Sequence, residues 1–238
     1  MQRWDVVTFD CYGTLIDWER GIRDAFRTAA AADGFALDVD AAVAAYLEIE
    51  RDVEAETFRR YRDLLAETAR RVATRFGWQL PEAGADFLAE SLPRWPPFAD
   101  TNPALERLAT AGYRLGILSN VDDDLLAGTR RHFTVEFSPD LIVTAEQVRS
   151  YKPAPGHFET ARRRIGDVPW LHAAQSFFHD VVPARRHGIP IAWINRNGQV
   201  ARDGITPDKE LRTLADLADW LEYGNGRPRY GPIPPKRS

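Results

Sequence analysis

Four short apolar runs constrain this chain more than any other feature. They lie at residues 5–9, 113–118, 141–144 and 190–194, each bounded by turn-forming or charged residues. Runs of that length, closed at both ends, read as buried strands. Helical patterns fall between them, at residues 122–131, 155–164 and 181–187. Strands that alternate with helices of about 10 residues imply right-handed crossovers and a parallel sheet, the architecture of a Rossmann-like α/β core. Gly112 and Gly188 stand where C-terminal helix glycines belong, and Asn102-Pro103 reads as an N-cap followed by proline at the first helical position.

The stretch from about residue 17 to residue 95 breaks this alternation. Phe58, Tyr61, Leu65, Ala69, Val72 and Phe76 recur at helical spacing with Gly77 as a stop, and Val43, Tyr46, Ile49 and Val53 suggest an earlier amphipathic helix. Pro93 and Trp95-Pro96-Pro97 then mark a return crossing. The expected layout is a core segment at 1–16, a helical cap at 17–97, the rest of the core at 98–223 and a flexible tail at 224–238, rich in Gly, Pro, Arg and Lys.

Composition excludes several classes. At 238 residues, 44% hydrophobic and with seven Trp, the chain can fill a sizeable core and is not disordered overall. A net charge of −4, with Lys and Arg scattered, gives no footprint for nucleic acid or an anionic membrane. The single cysteine, Cys11, rules out an internal disulfide and any multi-cysteine metal site. With no signal-like start and no apolar run of about 18 residues, a soluble cytoplasmic protein is expected.

In an open parallel sheet, ligands bind beyond the carboxyl ends of the strands. The polar clusters fall there. Asp10 ends the first strand in Phe9-Asp10-Cys11-Tyr12-Gly13-Thr14, and Ser119-Asn120 ends the second. Lys152, in Tyr151-Lys152-Pro153, precedes a helix, and Asp180 lies where the next strand should turn into one. Four clusters in this order resemble the haloacid dehalogenase superfamily over nearly the whole chain, cap included. The Asp-x-Tyr-Gly-Thr form and the Ser-Asn pair are most similar to its type II 2-haloacid dehalogenases.

That resemblance implies that Asp10 attacks C2 of a small 2-haloalkanoic acid, forming an ester that water then opens to a 2-hydroxy acid. Lys152 would keep Asp10 ionised, and Asp180 would hold Lys152 or orient the water. Thr14 and Ser119 would donate hydrogen bonds to nucleophile or substrate carboxylate, and Asn120 would cradle the halide. Cys11, Tyr12 and Gln175 complete the expected substrate-binding set, although the Cys11 thiol should face away from Asp10 and be inert. His179 either lines the pocket or serves the helix start.

Two positions bear on the leaving group and the metal. Superfamily phosphatases usually carry a second Asp, as general acid, where this chain has Tyr12, and a halide needs no proton. Metal-dependent members place a carboxylate where this chain has Gln175, so no cofactor is expected. An Mg²⁺-dependent phosphatase with an aspartyl-phosphate, and a catalytically weak module that binds a metabolite carboxylate, remain as alternatives. A homodimer is plausible from the resemblance alone. The sequence departs from the type II pattern in the cap, where the halide-binding Arg position falls near Ala45, with Glu48 and Glu50 following and Arg51 the nearest base, and in the terminal cluster at Gln175 and Phe177. Acids over an anionic substrate are unfavourable unless they point to solvent.

Overall fold

The computed structural model describes residues 4–81, 84–202 and 204–224. Six parallel strands form one sheet: β1 Val6–Phe9, β2 Arg114–Ser119, β3 Ile142–Thr144, β4 Trp170–Ala174, β5 Ile191–Ile194 and β6 Lys209–Leu211, side by side in the order β3-β2-β1-β4-β5-β6. β1 is central and wholly buried. Its register sets Phe9 beside Ile117 of β2 and beside Ala173 of β4, so the turns that follow the three strands emerge together. The chain progresses outward through β2 and β3 on one side of β1 and through β4 to β6 on the other. A crevice therefore opens beyond the strand ends, next to Asp10.

The four apolar runs each contain a strand, shifted by a residue or so at the ends. The strand before Asp180 is β4, and β6 lies at the edge. β6 has the sequence Lys209-Glu210-Leu211 and is partly exposed, so no apolar run announces it. Residues 225–238, which hold nearly all of the expected flexible tail, lie outside the described residues.

Between β1 and β2 the chain forms α1 Trp18–Ala32, α2 Val39–Glu54, α3 Tyr61–Phe76 and α4 Phe87–Ser91, then α5 Thr101–Thr110. Asp17 and Asp38 cap α1 and α2 by accepting from the backbone N–H groups of Arg20 and Ala41. α3 ends at Gly77, whose φ of 69° is the left-handed conformation that favours glycine. Val43, Tyr46, Ile49 and Val53 on α2 are buried, as are Leu64, Leu65, Ala69 and Val72 on α3. Phe58 departs from the expected helical stripe: it precedes α3, and its ring packs 5.3 Å from that of Tyr151.

The excursion leaves and returns through paired backbone. Asp17 N–H donates to Pro96 O at 2.8 Å and Phe98 N–H donates to Leu15 O at 3.1 Å, around a bridge between Ile16 and Pro97. Asn102 does not cap α5. The helix starts two residues earlier than that reading, at Thr101, because Thr101 Oγ1 anchors to Leu15 O at 2.7 Å and the Asn102 side chain turns to bind the backbone of His132 and Thr134.

The remaining helices are α6 Asp123–Thr129, α7 Ala145–Val148, α8 Gly156–Ile165, α9 Val182–Arg186 and α10 Leu214–Tyr223. Among the described residues, no helix is long and apolar enough to cross a membrane. One buried residue from the α6 entry stitches the two helical regions together. Asp122 accepts from Tyr61 N–H at 2.8 Å and from Arg62 N–H at 3.0 Å, capping α3, whose own N-cap Arg60 makes no side-chain capping bond. Replacing Asp122 with Ala leaves both N–H groups without that acceptor. The expected loss is about 1–2 kcal/mol, read as a fall in melting temperature of about 3–6 °C; Asp122→Asn, which keeps one acceptor, should lose less.

Candidate active site

The turn after β1 is held from several directions. Cys11 O accepts from the N–H groups of Thr14, Leu15 and Ile16, at 3.3, 2.8 and 3.0 Å. Gly13 has φ of 97°, which strains any other residue, and a Cβ there would crowd the Trp18 indole nitrogen at 3.0 Å and Gln175 Oε1 at 3.2 Å. Arg196, just past β5, donates to Thr14 O at 2.9 Å, forks onto Asp100 and lies over the Phe98 ring at 3.9 Å. The Asp10 carboxylate is thereby fixed by backbone rather than by its own flexibility.

Lys152 meets that carboxylate. Its Nζ donates to Asp10 Oδ1 at 2.9 Å, to Asp180 Oδ1 at 2.6 Å and to Leu118 O at 2.9 Å. All three ammonium protons are engaged. Thr14 Oγ1 donates to the other oxygen of Asp10 at 2.9 Å and accepts from Gln175 N–H at 2.9 Å. Burial works to lower the Lys152 pKa, but the charges of Asp10 and Asp180 outweigh it and raise it. For Asp10, burial raises the carboxyl and Lys152 opposes it, leaving a net rise. Burial pushes Asp180 upward as well, yet Lys152 and His172 overcome it and hold the group at about 2. The raised lysine pKa keeps the proton on Lys152, while burial works against the charged form of Asp10 and Lys152 opposes that effect.

That cavity, of about 770 Å³, is lined by Asp10, Tyr12, Ser119, Asn120, Lys152, Gln175 and Asp180 together with helical residues. Ser119 Oγ is buried and has no partner, a donor aimed at an incoming group, while His157 is within hydrogen-bond distance of Ser119 O at 3.0 Å. Burial, followed by the charge of Lys152, pushes His157 down to about 3, so the ring is neutral and holds the strand end without adding charge. Asn120 brackets Lys152: its Oδ1 accepts from Lys152 N–H at 2.7 Å and its Nδ2 donates to Lys152 O at 3.1 Å. Its amide thus orients the lysine, a role that the Ser-Asn pattern alone does not suggest.

Tyr12 turns its hydroxyl to Thr129 Oγ1 at 2.9 Å and sets its ring edge-on to Trp95. Two members of the expected substrate-binding set do not line the cavity. Cys11 is wholly buried in the core and contributes through its carbonyl, because side chains alternate in direction as the strand ends. Burial pushes its thiol pKa well up, consistent with an inert group. Thr14 is buried behind Asp10, and its hydroxyl bonds Asp10 and Gln175 N–H rather than facing the cavity.

The opposite wall is helical. Trp18, Tyr46, Glu50, Arg51, Glu54 and Tyr61 face the cavity from α1, α2 and the start of α3. The two acids near the cap departure go different ways. Glu48 is exposed and pairs with Arg75 at 2.8 Å. Glu50 points inward, accepting from the hydroxyls of Tyr46 at 2.5 Å and Tyr61 at 2.9 Å. Burial, followed by the charge of Glu54, raises Glu50 to about 7. His179 also lines the cavity and reaches Glu54 across it at 3.2 Å, which joins the helical wall to the turn after β4.

The model of the haloacid dehalogenase-like hydrolases matches residues 4–174. The chain belongs to this hydrolase family. An (S)-2-haloacid dehalogenase H-109 from Pseudomonas putida is 27% identical over 236 residues, covering 93% of this chain and 99% of its own. Among solved structures, a defluorinating L-2-haloacid dehalogenase superposes with a TM-score of 0.78 at 25% identity, over 92% of this chain and 95% of that one. An L-2-haloacid dehalogenase from Xanthobacter autotrophicus with chloropropionic acid covalently bound shares the fold with a TM-score of 0.80 at 18% identity, over 92% and 99% of the two chains.

Sequence reasoning flagged Glu50 only as an acid in the cap, and missed Glu54 on the cavity wall and Thr8, His157 and His172 behind it. Only the i and i+4 spacing of Glu50 and Glu54 on one helix face carried any signal. Glu50 yields a test that needs no substrate. Its folded pKa of about 7 exceeds the ordinary 4.5, so folding retains a proton that the unfolded chain releases. Stability is therefore lost as pH rises from 4.5 to 7 and the loss levels off above that. Glu50→Gln should raise the melting temperature at pH 8, by on the order of 2 kcal/mol or 4–8 °C, and the gain should fade towards pH 4.5; a pH series of thermal melts checks it.

Proposed function

We propose that this enzyme hydrolyses a small 2-haloalkanoic acid to a 2-hydroxy acid through an ester at Asp10, without a metal. The observation that carries the reading is the environment of Tyr12. It stands two residues beyond the nucleophile with its hydroxyl committed to Thr129, and burial pushes its pKa well above the ordinary phenol value. It offers no proton to an alkoxide leaving group, and a halide requires none.

In the first step an Asp10 oxygen attacks C2 in line with the carbon–halogen bond. The bond pair leaves with the halide, C2 inverts, and the carboxylate becomes an ester. Ser119 Oγ, buried and unpartnered, is the donor available to the substrate carboxylate. In the second step water attacks Cγ of Asp10 and yields its proton to Asp180. The ester bond breaks, the alkoxide oxygen takes that proton from Asp180 and departs as the 2-hydroxy acid, and the new Asp10 carboxyl loses its hydroxyl proton to solvent, which restores the carboxylate. One halide and one proton are released per turnover. Inversion at C2 turns an S substrate into an R alcohol, the S form being the one for which the Pseudomonas relative is named.

The donor set supports metal independence. Mg²⁺ favours carboxylate and other oxygen ligands. Here Asp10 Oδ1 and Asp180 Oδ1 already share the Lys152 ammonium, and the third position is the neutral amide of Gln175. Among the described residues, no group of three or more His, Cys, Asp or Glu is arranged to hold a metal ion.

Purified enzyme in EDTA should release halide from racemic 2-chloropropionate, consuming one enantiomer, and Asp10→Asn should lower the rate by roughly 10³-fold or more. Folded enzyme that releases no halide under those conditions overturns the assignment. A second expectation concerns the wall acid. Because Glu50 ionises near pH 7, KM for the anionic substrate should rise between pH 6 and 8, by roughly threefold to tenfold, and Glu50→Gln should flatten that rise.

A further inference from the structure

Behind the sheet end, the site continues into a buried hydrogen-bond chain that the reaction as described does not use. Trp170 Nε1 donates to Thr8 Oγ1 at 2.7 Å. Thr8 Oγ1 lies 2.9 Å from His172 Nδ1, and His172 Nε2 lies 3.0 Å from Asp180 Oδ1. Thr8, His172 and Asp180 are all 0% exposed, so water supplies no alternative partners. An indole can only donate. Thr8 Oγ1 therefore accepts from Trp170 and directs its own proton to His172 Nδ1. That nitrogen must be the acceptor, which leaves the proton on Nε2, facing Asp180. Neutral His172 with Nε2–H is the one arrangement in which every proton of the chain meets an acceptor.

The consequence falls on Asp180. Its Oδ1 receives both Lys152 Nζ and His172 Nε2, while Oδ2 is buried with no partner. Two donors on one oxygen fix the rotation of the carboxylate and leave the other oxygen free. An unpaired buried oxygen is costly unless something arrives to use it. The water of the second half-reaction is such a group, and Asp180 lines the same cavity as Asp10.

We propose that His172 is a positioning residue for ester hydrolysis: its Nε2–H, directed by Trp170 and Thr8, turns Asp180 so that Oδ2 takes the proton of the water attacking the Asp10 ester. This rests on the aspartyl-ester reading. The proton passes from water to Asp180 Oδ2 and then to the departing alkoxide oxygen, so nothing beyond water is consumed. Alkylation of Asp10 makes no demand on Oδ2. Loss of His172 therefore slows the second step and spares the first.

The test compares the full-length enzyme with His172→Leu and His172→Gln, the latter placing an amide N–H near the position of Nε2. With 2-chloropropionate, His172→Leu should show a halide burst approaching one per site and a steady rate about 10- to 100-fold lower. KM should fall alongside kcat, and intact mass should show the Asp10 ester accumulating. His172→Gln should recover most of the hydrolysis rate. Equal loss in both steps, or no accumulated ester, overturns the proposal in favour of a packing role. Nitrogen-15 spectra of labelled histidine in the free enzyme, assigned by loss of the signal in His172→Gln, provide a readout that needs no substrate. A bare Nδ1 with protonated Nε2 supports the relay, and the opposite tautomer or a doubly protonated ring overturns it. If the wild type releases no halide, the substrate assignment fails by itself and the tautomer still decides the positioning claim.

Discussion

Lys152 Nζ, buried with its three protons on Asp10, Asp180 and Leu118 O, is the interaction on which the rest of this structure depends. A lone buried ammonium costs several kcal/mol and loses its proton unless anions compensate it. Two carboxylates from the turns after β1 and β4 do so, and the carbonyl comes from β2. One charge therefore ties together the ends of three adjacent strands. Both acids are needed to keep the lysine charged, and the lysine is needed to keep both acids ionised. The Asp10 carboxylate is poorly solvated as a result, with burial raising its pKa and the Lys152 charge opposing that rise.

The helical wall completes this arrangement. It supplies aromatic surface around Asp10 and a carboxyl, Glu50, held by two phenols and titrating near neutrality. The wall is anchored to the core by specific polar contacts as well as by packing. Asp122 caps α3 from the core side, and Glu54 meets His179 over the cavity. The two cap acids are thus split by the fold: Glu48 is paired at the surface with Arg75, and Glu50 stays inside, where the hydroxyls of Tyr46 and Tyr61 donate to it.

Much of the site is legible in the residue pattern. Asp10, Ser119, Lys152 and Asp180 each follow a strand or precede a helix, and parallel sheets gather such positions at one edge. Their neighbours are less legible because their partners are distant in sequence. Asn120, expected at the halide, lines the cavity and also clasps the Lys152 backbone, 32 residues away. Cys11 and Thr14 sit beside the nucleophile in sequence, yet neither lines the cavity, since the turn directs them behind it. Thr8 and His172 read as strand residues, and their register, Thr8 opposite His172, is what brings them together.

The sequence by itself determined the parallel α/β core, the helical excursion after the first strand, and which acids and which lysine stand at the strand ends. Those follow from local periodicity and from residue types placed at strand ends, which short-range physics dictates. Tertiary structure alone decided which acid of the cap faces the cavity, where Asn120 bonds, and that Thr8 and His172 meet. Each of those depends on pairing between residues far apart in the chain, such as Thr8 with His172 at a separation of 164, where burial removes water as a competing partner and leaves one satisfied arrangement.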